Sequence, residues 1–309
     1  MSILALQTEI ITARLLTTKD RETLTRLLIK NVAGSYYILS NLSKGGMDYQ
    51  GEPHQANYFG LFLNDDLEGV LSHNWIGSVQ IFLSSKATDI TPLSRTWISY
   101  INKYQQKIDC FLGSKSDVES LLRSLHITST ELRAGGRIEG LFSLDLDSMI
   151  DPPALNDPTI SVRQADVSDH KLISRWRHDF FVESQGSEPG ENLYKRASEE
   201  ILRRLLEGSL FLLFHNEEPK SFCGVSGFVH DYKIVGPVWT PLTERGKGYG
   251  QSITAGALKI LQKQGCKQAV LFTLNPQAES TYKAIGFKRI GDWRVDFPLS
   301  LNFLKNKQI

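Results

Sequence analysis

Apolar and polar positions alternate along this chain with two distinct periods, and the second half shows them most clearly. "ISVRQA" reads as a short strand. "DHKLISRWRHDFF" places Leu172, Ile173, Trp176 and Phe180 on one helical face, and "NLYKRASEEILRRLLEG" does the same with Leu193, Ala197, Ile201 and Leu205 before stopping at Gly208. Three strand-like runs follow, "SLFLLF", "KSFCGVSGFV" and "KIVGPVWT", separated by the hairpin-like breaks "HNEEP" and "HDY". After a glycine-bearing loop comes a helix with Ile253, Ala257, Ile260 and Leu261 inward, closed by Gly265. "QAVLFTL" has the uniform apolar character of a strand covered on both faces. A short helix, "QAESTYKAI", precedes "GFKRI" and "WRVDF". The expected order is β-α-α-β-β-β-loop-α-β-α-β.

The first half repeats this plan less sharply. "KDRETLTRLLIKN" is amphipathic, and "NYFGLFLN", "LEGVLSHN" and "GSVQIFLS" are three successive strands. "LSRTWISYINKYQ" is a helix and "KIDCFLG" a buried strand; "SDVESLLRSLHI" is a helix opening on a Ser116/Glu119 capping box. "SNLSKGGMDYQGEPHQANYFG", from Ser40 to Gly60, reads as a polar loop. The period is about 150 residues, with no sequence identity of note, so an ancient duplication and two unrelated α/β domains both remain open. "DLDSMIDPPALNDPT" carries three prolines and four aspartates and neither period. It is the expected linker, 145–158, between domains 1–144 and 159–309.

Composition narrows the classes. A chain of 309 residues with 41% hydrophobic content can build two packed domains. A net charge of +1 gives no broad basic field, so nucleic acid is not an expected partner. Cys110, Cys223 and Cys266 are odd in number and far apart, which suggests reduced thiols rather than disulfides or a metal ribbon. The N-terminal "MSILALQTEIITARLL" lacks a basic start and a cleavage site, and no run of 18 apolar residues occurs. The expectation is a cytoplasmic protein that meets no membrane and needs no metal.

The loop "ERGKGYG" carries the candidate chemistry. Gly246, Gly248 and Gly250 alternate with Lys247 and Tyr249, and a helix starts at once. Glycines allow positive φ and close approach of a ligand, and successive N–H groups at a helix start attract an anion. Arg245 and Lys247 could add charge at the rim. A P-loop requires Ser or Thr after Gly-Lys, where Gly248 stands; a dinucleotide fingerprint requires glycine where Gln251 stands. The pattern [RQ]-x-x-G-x-[GA] is matched at each fixed position by Arg245, Gly248 and Gly250.

That loop, together with "NPQAESTYKAIGF" downstream, resembles the GNAT superfamily of acetyl-CoA-dependent N-acetyltransferases over about residues 158 to 297. Asn275, Ala278, Tyr282, Gly286 and Phe287 match the second motif, N-x-x-A-x-x-x-Y-x-x-x-G-F. The resemblance implies an α/β fold of two GNAT-like domains, each a mixed, mostly antiparallel sheet flanked by helices. It implies acetyl-CoA as acyl-donor substrate, its pyrophosphate held by the main chain of Gly246, Lys247, Gly248, Tyr249, Gly250 and Gln251. It further implies that Val238, Trp239 and Thr240 offer main-chain groups to the pantetheine arm, with an amide near Trp239 facing the developing oxyanion. Asn275 would bond that arm, and Tyr282 would protonate the departing thiolate. Pro237 suits a strand that splays from its neighbour.

No general base announces itself; Glu183, Glu188, His178 and His230 are candidates, and a water relay would serve as well. The first half has neither motif in "SKATDITP" or after "KIDCFLGS" and is expected to be a degenerate GNAT-like domain. The expected activity is transfer of an acetyl group to the primary amine of a small molecule or peptide. The alternatives are a non-catalytic coenzyme A sensor, another acyl donor, or a hydroxyl acceptor.

Overall fold

A computed structural model of the chain describes residues 9–134, 136–229 and 231–300. Two compact units divide it. One takes the residues up to 140 together with those from 291 onward; the other is 141–290. The first unit runs β1 (Ile11–Leu15), α1 (Arg21–Ile29), α2 (Val32–Gly45), β2 (Ala56–Leu63), β3 (Asp66–Asn74), β4 (Ser78–Leu83), α3 (Thr91–Tyr104), β5 (Cys110–Ser114) and α4 (Lys115–Ser124). β6 (Arg137–Asp145) leads into the second unit. There follow β7 (Ile160–Gln164), α5 (His170–Gln185), α6 (Glu191–Leu206), β8 (Leu210–His215), β9 (Glu218–Val229), β10 (Tyr232–Trp239), α7 (Tyr249–Lys263), β11 (Gln268–Thr273), α8 (Pro276–Ala284) and β12 (Lys288–Asp296). The α/β class and the element order of the second half agree with the periodicity.

The strand order is β1-β2-β3-β4-β5-β12 in the first unit and β7-β8-β9-β10-β11-β6 in the second. β4 pairs with β5 in parallel, as β10 does with β11, while the hairpin-linked strands are antiparallel. The boundaries therefore differ from contiguous domains 1–144 and 159–309. Trp293 to Asp296 of β12 pair with Phe111 to Ser114 of β5 in the first unit. The stretch 145–158 is no free linker either: Leu146 is buried, and Met149 and Leu155 pack on the core of the second unit. Prolines kept it out of helix and sheet without keeping it out of the core.

Equivalent side chains repeat the plan. Arg14 of β1 forms two hydrogen bonds to the carboxylate of Asp20 at 2.6 and 2.8 Å and lies over Phe62 of the next strand. Arg163 of β7 does the same to Asp169, at 2.7 and 2.9 Å, over Phe214. Each aspartate also accepts the N–H at the start of its turn, from Thr17 and from Asp166. The guanidinium holds the Asp20 carboxyl well below the usual carboxylate range.

Two local readings change. α2 occupies the start of the stretch read as a polar loop, because it is buried on most sides and so has no amphipathic signature; Asn31 caps it by accepting from Gly34 N–H at 3.0 Å. α4 is capped by Ser114, not Ser116, at 3.2 Å to Asp117 N–H, and Glu119 pairs instead with Arg294.

In the second unit one face of the sheet packs on α7 and α8 through Phe211, Leu213, Cys223, Val225, Ile253, Leu258 and Phe287. The other packs on α5 and α6 through Ile173, Trp176, Ile201, Leu205, Leu212, Phe222 and Trp239. Alternation along β10 assigns Val238 to the first core and Trp239 to the second.

Candidate active site

β10 is where the sheet opens. It pairs with β11 only from Tyr232↔Gln268 to Ile234↔Val270, whereas its pairing with β9 continues to Trp239↔Phe222. Pro237 cannot donate to a ladder, and it sits in a register shift against β9 between Val235 and Val238. From Val235 to Trp239 the strand thus follows β9 and leaves β11, and main-chain groups along that edge are released from pairing.

The glycine loop lies at the end of this strand. Gly246 and Gly248 have φ of +78° and +81°, where a side chain is strained. A Cβ at either would meet nothing within 4 Å, so both positions border open space. The ladder of α7 begins with Ser252 N–H on Gly248 C=O at 3.1 Å, leaving Tyr249, Gly250 and Gln251 N–H without helical partners. Among the described residues, no main-chain oxygen accepts from Gly246, Lys247 or Gly248 N–H. Six successive donors at the positive end of a 15-residue helix suit a diphosphate by charge, and the Gly246 and Gly248 positions border open space.

The side chains around the loop are mostly committed. Arg245 donates to both carboxylate oxygens of Glu183 at 2.7 and 3.0 Å and to Thr240 C=O at 2.9 Å, and its guanidinium lies over the Trp239 ring. Its geometry anchors the loop rather than leaving a rim charge free. Lys247 pairs with Glu244 at 2.9 Å. The Tyr249 side chain is buried and its hydroxyl bonds His215 Nδ1, so this residue has only its main chain to offer a ligand. Thr240 Oγ1 shares a hydrogen bond with Ser221 at 2.9 Å.

The second motif comes to the same place. Thr281 Cγ2 lies 3.8 Å from where a Gly250 Cβ would be, so α8 flanks the start of α7. Asn275 caps α8, its Oδ1 accepting from Gln277 N–H at 2.9 Å, which leaves Nδ2 to donate outward. Tyr282 packs against the core that includes Cys223, Val235 and Phe287, as Val238 does. Burial, with a smaller contribution from Cys223, pushes the Tyr282 phenol above its ordinary pKa, so it is a neutral proton donor at pH 7.

The base candidates are scattered. Glu183 is held by Arg245, His178 bonds Asp179 at 3.1 Å, Glu188 is exposed beyond α5, and His230 lies outside the described residues. Sequence reasoning missed a charged cluster on α5 and α6, Arg177, Glu200 and Arg204, whose only signal was three charges among apolar positions. Among the described residues no group of His, Cys, Asp and Glu could hold a metal ion, and no helix is long and apolar enough to cross a membrane.

No family model and no curated protein matches the chain. Solved structures do. A GCN5-related N-acetyltransferase from Sphaerobacter thermophilus is 13% identical, with a TM-score of 0.57 over 93% of this chain and 94% of that one. A GNAT-family acetyltransferase from Colwellia psychrerythraea is 15% identical, with a TM-score of 0.52 over 93% and 99%. A tandem GNAT protein from the clavulanic acid biosynthesis pathway is 11% identical, with a TM-score of 0.52 over 93% and 98%. At these identities the likeness is one of architecture: along nearly its whole length, the chain has the α/β fold of the GNAT acetyltransferases.

Proposed function

We propose that this protein is an acyltransferase that moves the acetyl group of acetyl-CoA to a primary amine. The observation that carries the reading is the glycine loop: six successive main-chain donors, open space at Gly246 and Gly248, and a helix start behind them. The opened edge of β10 supports a path for the pantetheine arm from that loop toward Tyr282. Asn275 Nδ2 and the main chain of Val238 to Thr240 are the donors and acceptors available along it.

The amine nitrogen attacks the thioester carbonyl carbon; a C–N bond forms as the C–S bond breaks. The Tyr282 hydroxyl gives its proton to the departing sulfur, and the proton lost by the amine passes to solvent and restores the phenol. A partly buried phenol whose pKa is raised suits this task because it stays protonated until the thiolate forms beside it. Released main-chain N–H groups of β10 face the carbonyl oxygen as charge gathers on it.

The test is calorimetric titration with acetyl-CoA, followed by thiol release over a panel of amines. Binding with amine-dependent thiol release is the expected result. Binding without release from any amine leaves a coenzyme A sensor, and absence of binding refutes the reading.

A further inference from the structure

On the α5/α6 face of the second unit, two arginines share one carboxylate. Arg177 donates from Nε and Nη2 to Glu200 Oε2 at 3.1 and 3.0 Å, and Arg204 donates from Nε to Oε1 at 3.0 Å. Arg177 and Arg196 lie over the Phe181 ring at 4.0 and 4.6 Å. The side chains of Arg177, Arg204 and Glu200 are 9%, 17% and 19% exposed, so a net positive charge is held largely out of water. Glu183 of α5 is engaged with Arg245, and Glu207, just past the end of α6, with Arg203. Burying such a cluster is a poor way to stabilise a fold, because desolvation offsets most of the attraction.

Arg204 reaches the opened part of β10. Its Nη1 lies 3.4 Å from the carbonyls of Val225 and Gly236, long contacts made where β10 shifts register against β9. Gly224 makes room for it: a Cβ there would stand 2.9 Å from Nη1 and 3.0 Å from Pro237 Cδ. With Nε given to Glu200 and Nη1 to the two carbonyls, Nη2 is the donor of this guanidinium left to form a charge-assisted bond with a carboxylate. Two further polar groups of this face are buried without partners, Trp239 Nε1–H and Ser174 Oγ. Hydrogen-bonding capacity is thus unspent beside the strand that, on the proposed function, receives the thioester.

We infer that the acceptor amine also carries a carboxylate, and that Arg204 selects it; the inference rests on the acetyl-transfer reading. A cation at this place repels an ammonium and favours the neutral amine that attacks, while drawing the anionic end of the same molecule. That arrangement needs no dedicated carboxylate base.

The experiment measures kcat/KM with acetyl-CoA for matched pairs, an amino acid against its carboxamide and lysine against cadaverine. Acetyl-CoA binding is titrated in parallel for every variant. The carboxylate-bearing partner is expected to be preferred about tenfold or more, the scale of a charge-assisted pair. The preference falls to within about twofold in Arg204→Gln and is partly kept in Arg204→Lys. Gly224→Ala, which crowds Nη1 without removing the charge, lowers it as well and serves if Arg204→Gln does not fold. A ratio near one in the wild type, a ratio unchanged in Arg204→Gln while both rates fall, or bound acetyl-CoA with no turnover of any carboxylate-bearing amine each overturns the inference alone. A wild type that does not bind acetyl-CoA overturns the functional reading beneath it.

Discussion

Adding one Cβ to the glycine loop should have opposite effects at two positions two residues apart. At Gly248, φ is +81° and no atom lies within 4 Å of a Cβ, so the cost of alanine is conformational and not steric. Left-handed backbone costs an L-residue about 1–2 kcal/mol. The stiffer unfolded chain returns about 0.4–1 kcal/mol. The net is about 1 kcal/mol, or a fall of about 2–4 °C in Tm for a unit of this size. At Gly250, inside α7, a Cβ would touch Thr281 Cγ2 at 3.8 Å and Thr240 Oγ1 at 4.0 Å, which is ordinary contact. There alanine gains up to about 1 kcal/mol of helix preference, so Tm should rise. Neither alanine removes an N–H. Gly248→Glu keeps the N–H groups too but points a carboxylate at the proposed diphosphate. One charge against two at about 5 Å costs about 1.7 kcal/mol even at the dielectric constant of water, roughly twentyfold in Kd. High salt should narrow that gap. Scanning calorimetry and acetyl-CoA titration of the three variants check the argument. Equal stability of the two alanine variants would refute the backbone reasoning, and wild-type affinity in Gly248→Glu would remove the diphosphate from the loop.

Tyr282→Phe should bind acetyl-CoA normally and lose about 10²–10⁴ in kcat; full turnover would end the acid role. Because burial raises the phenol pKa, Tyr282 remains protonated beyond pH 10, so the wild-type alkaline limb below pH 10 should not report its ionisation. Glu183→Gln frees Arg245 from a half-exposed ion pair worth about 0–1 kcal/mol, so the KM for acetyl-CoA should rise at most about fivefold with kcat little changed. His73 is buried and neutral, accepting from Trp97 Nε1–H at 3.2 Å and bonding Lys107 C=O at 2.9 Å, and burial lowers its pKa to about 4. The unfolded chain takes up this proton first, near pH 6.5, so the first unit should lose stability as pH falls from 6.5 toward 4, by up to about 3 kcal/mol. Denaturant midpoints across that range measure it, and a flat profile would contradict the burial argument.

Much of the second unit was legible because its periodicities are clean. The faces of α5, α6 and α7 and the apolar β11 follow from apolar spacing, and the loop follows from three glycines at a helix start. What stayed hidden was tertiary. α2 has no polar face to betray it, since Tyr36, Ile38, Leu39 and Asn41 are all buried. β12 joins the first unit through a pairing with β5 that lies about 180 residues away in sequence, which no local pattern reports. Arg245 matched the loop motif as a cation, yet its charge is met by Glu183, 62 residues earlier.

On the proposed function, differences between the two units account for a ligand site in the second that the first would lack. β4 ends its pairing with β5 at Ile81↔Gly113, much as β10 leaves β11. There, however, Leu83 N–H is taken at 3.2 Å by the half-buried carboxylate of Asp117 at the start of α4. The next helix, α3, begins Thr91-Pro92-Leu93: Asp89 Oδ1 accepts the Thr91 N–H at 2.9 Å, and Pro92 has none to give. Of the first three helical positions only Leu93 keeps an N–H to spare. The backbone hydrogen bond lowers the Asp89 pKa, so the negative charge is fixed at that helix end at neutral pH. An incoming diphosphate would meet a carboxylate where the second unit offers Tyr249, Gly250 and Gln251. Asp89 and Asp117 thus occupy, with groups of the chain itself, the positions that on the proposed function would receive an anion and an arm in the second unit.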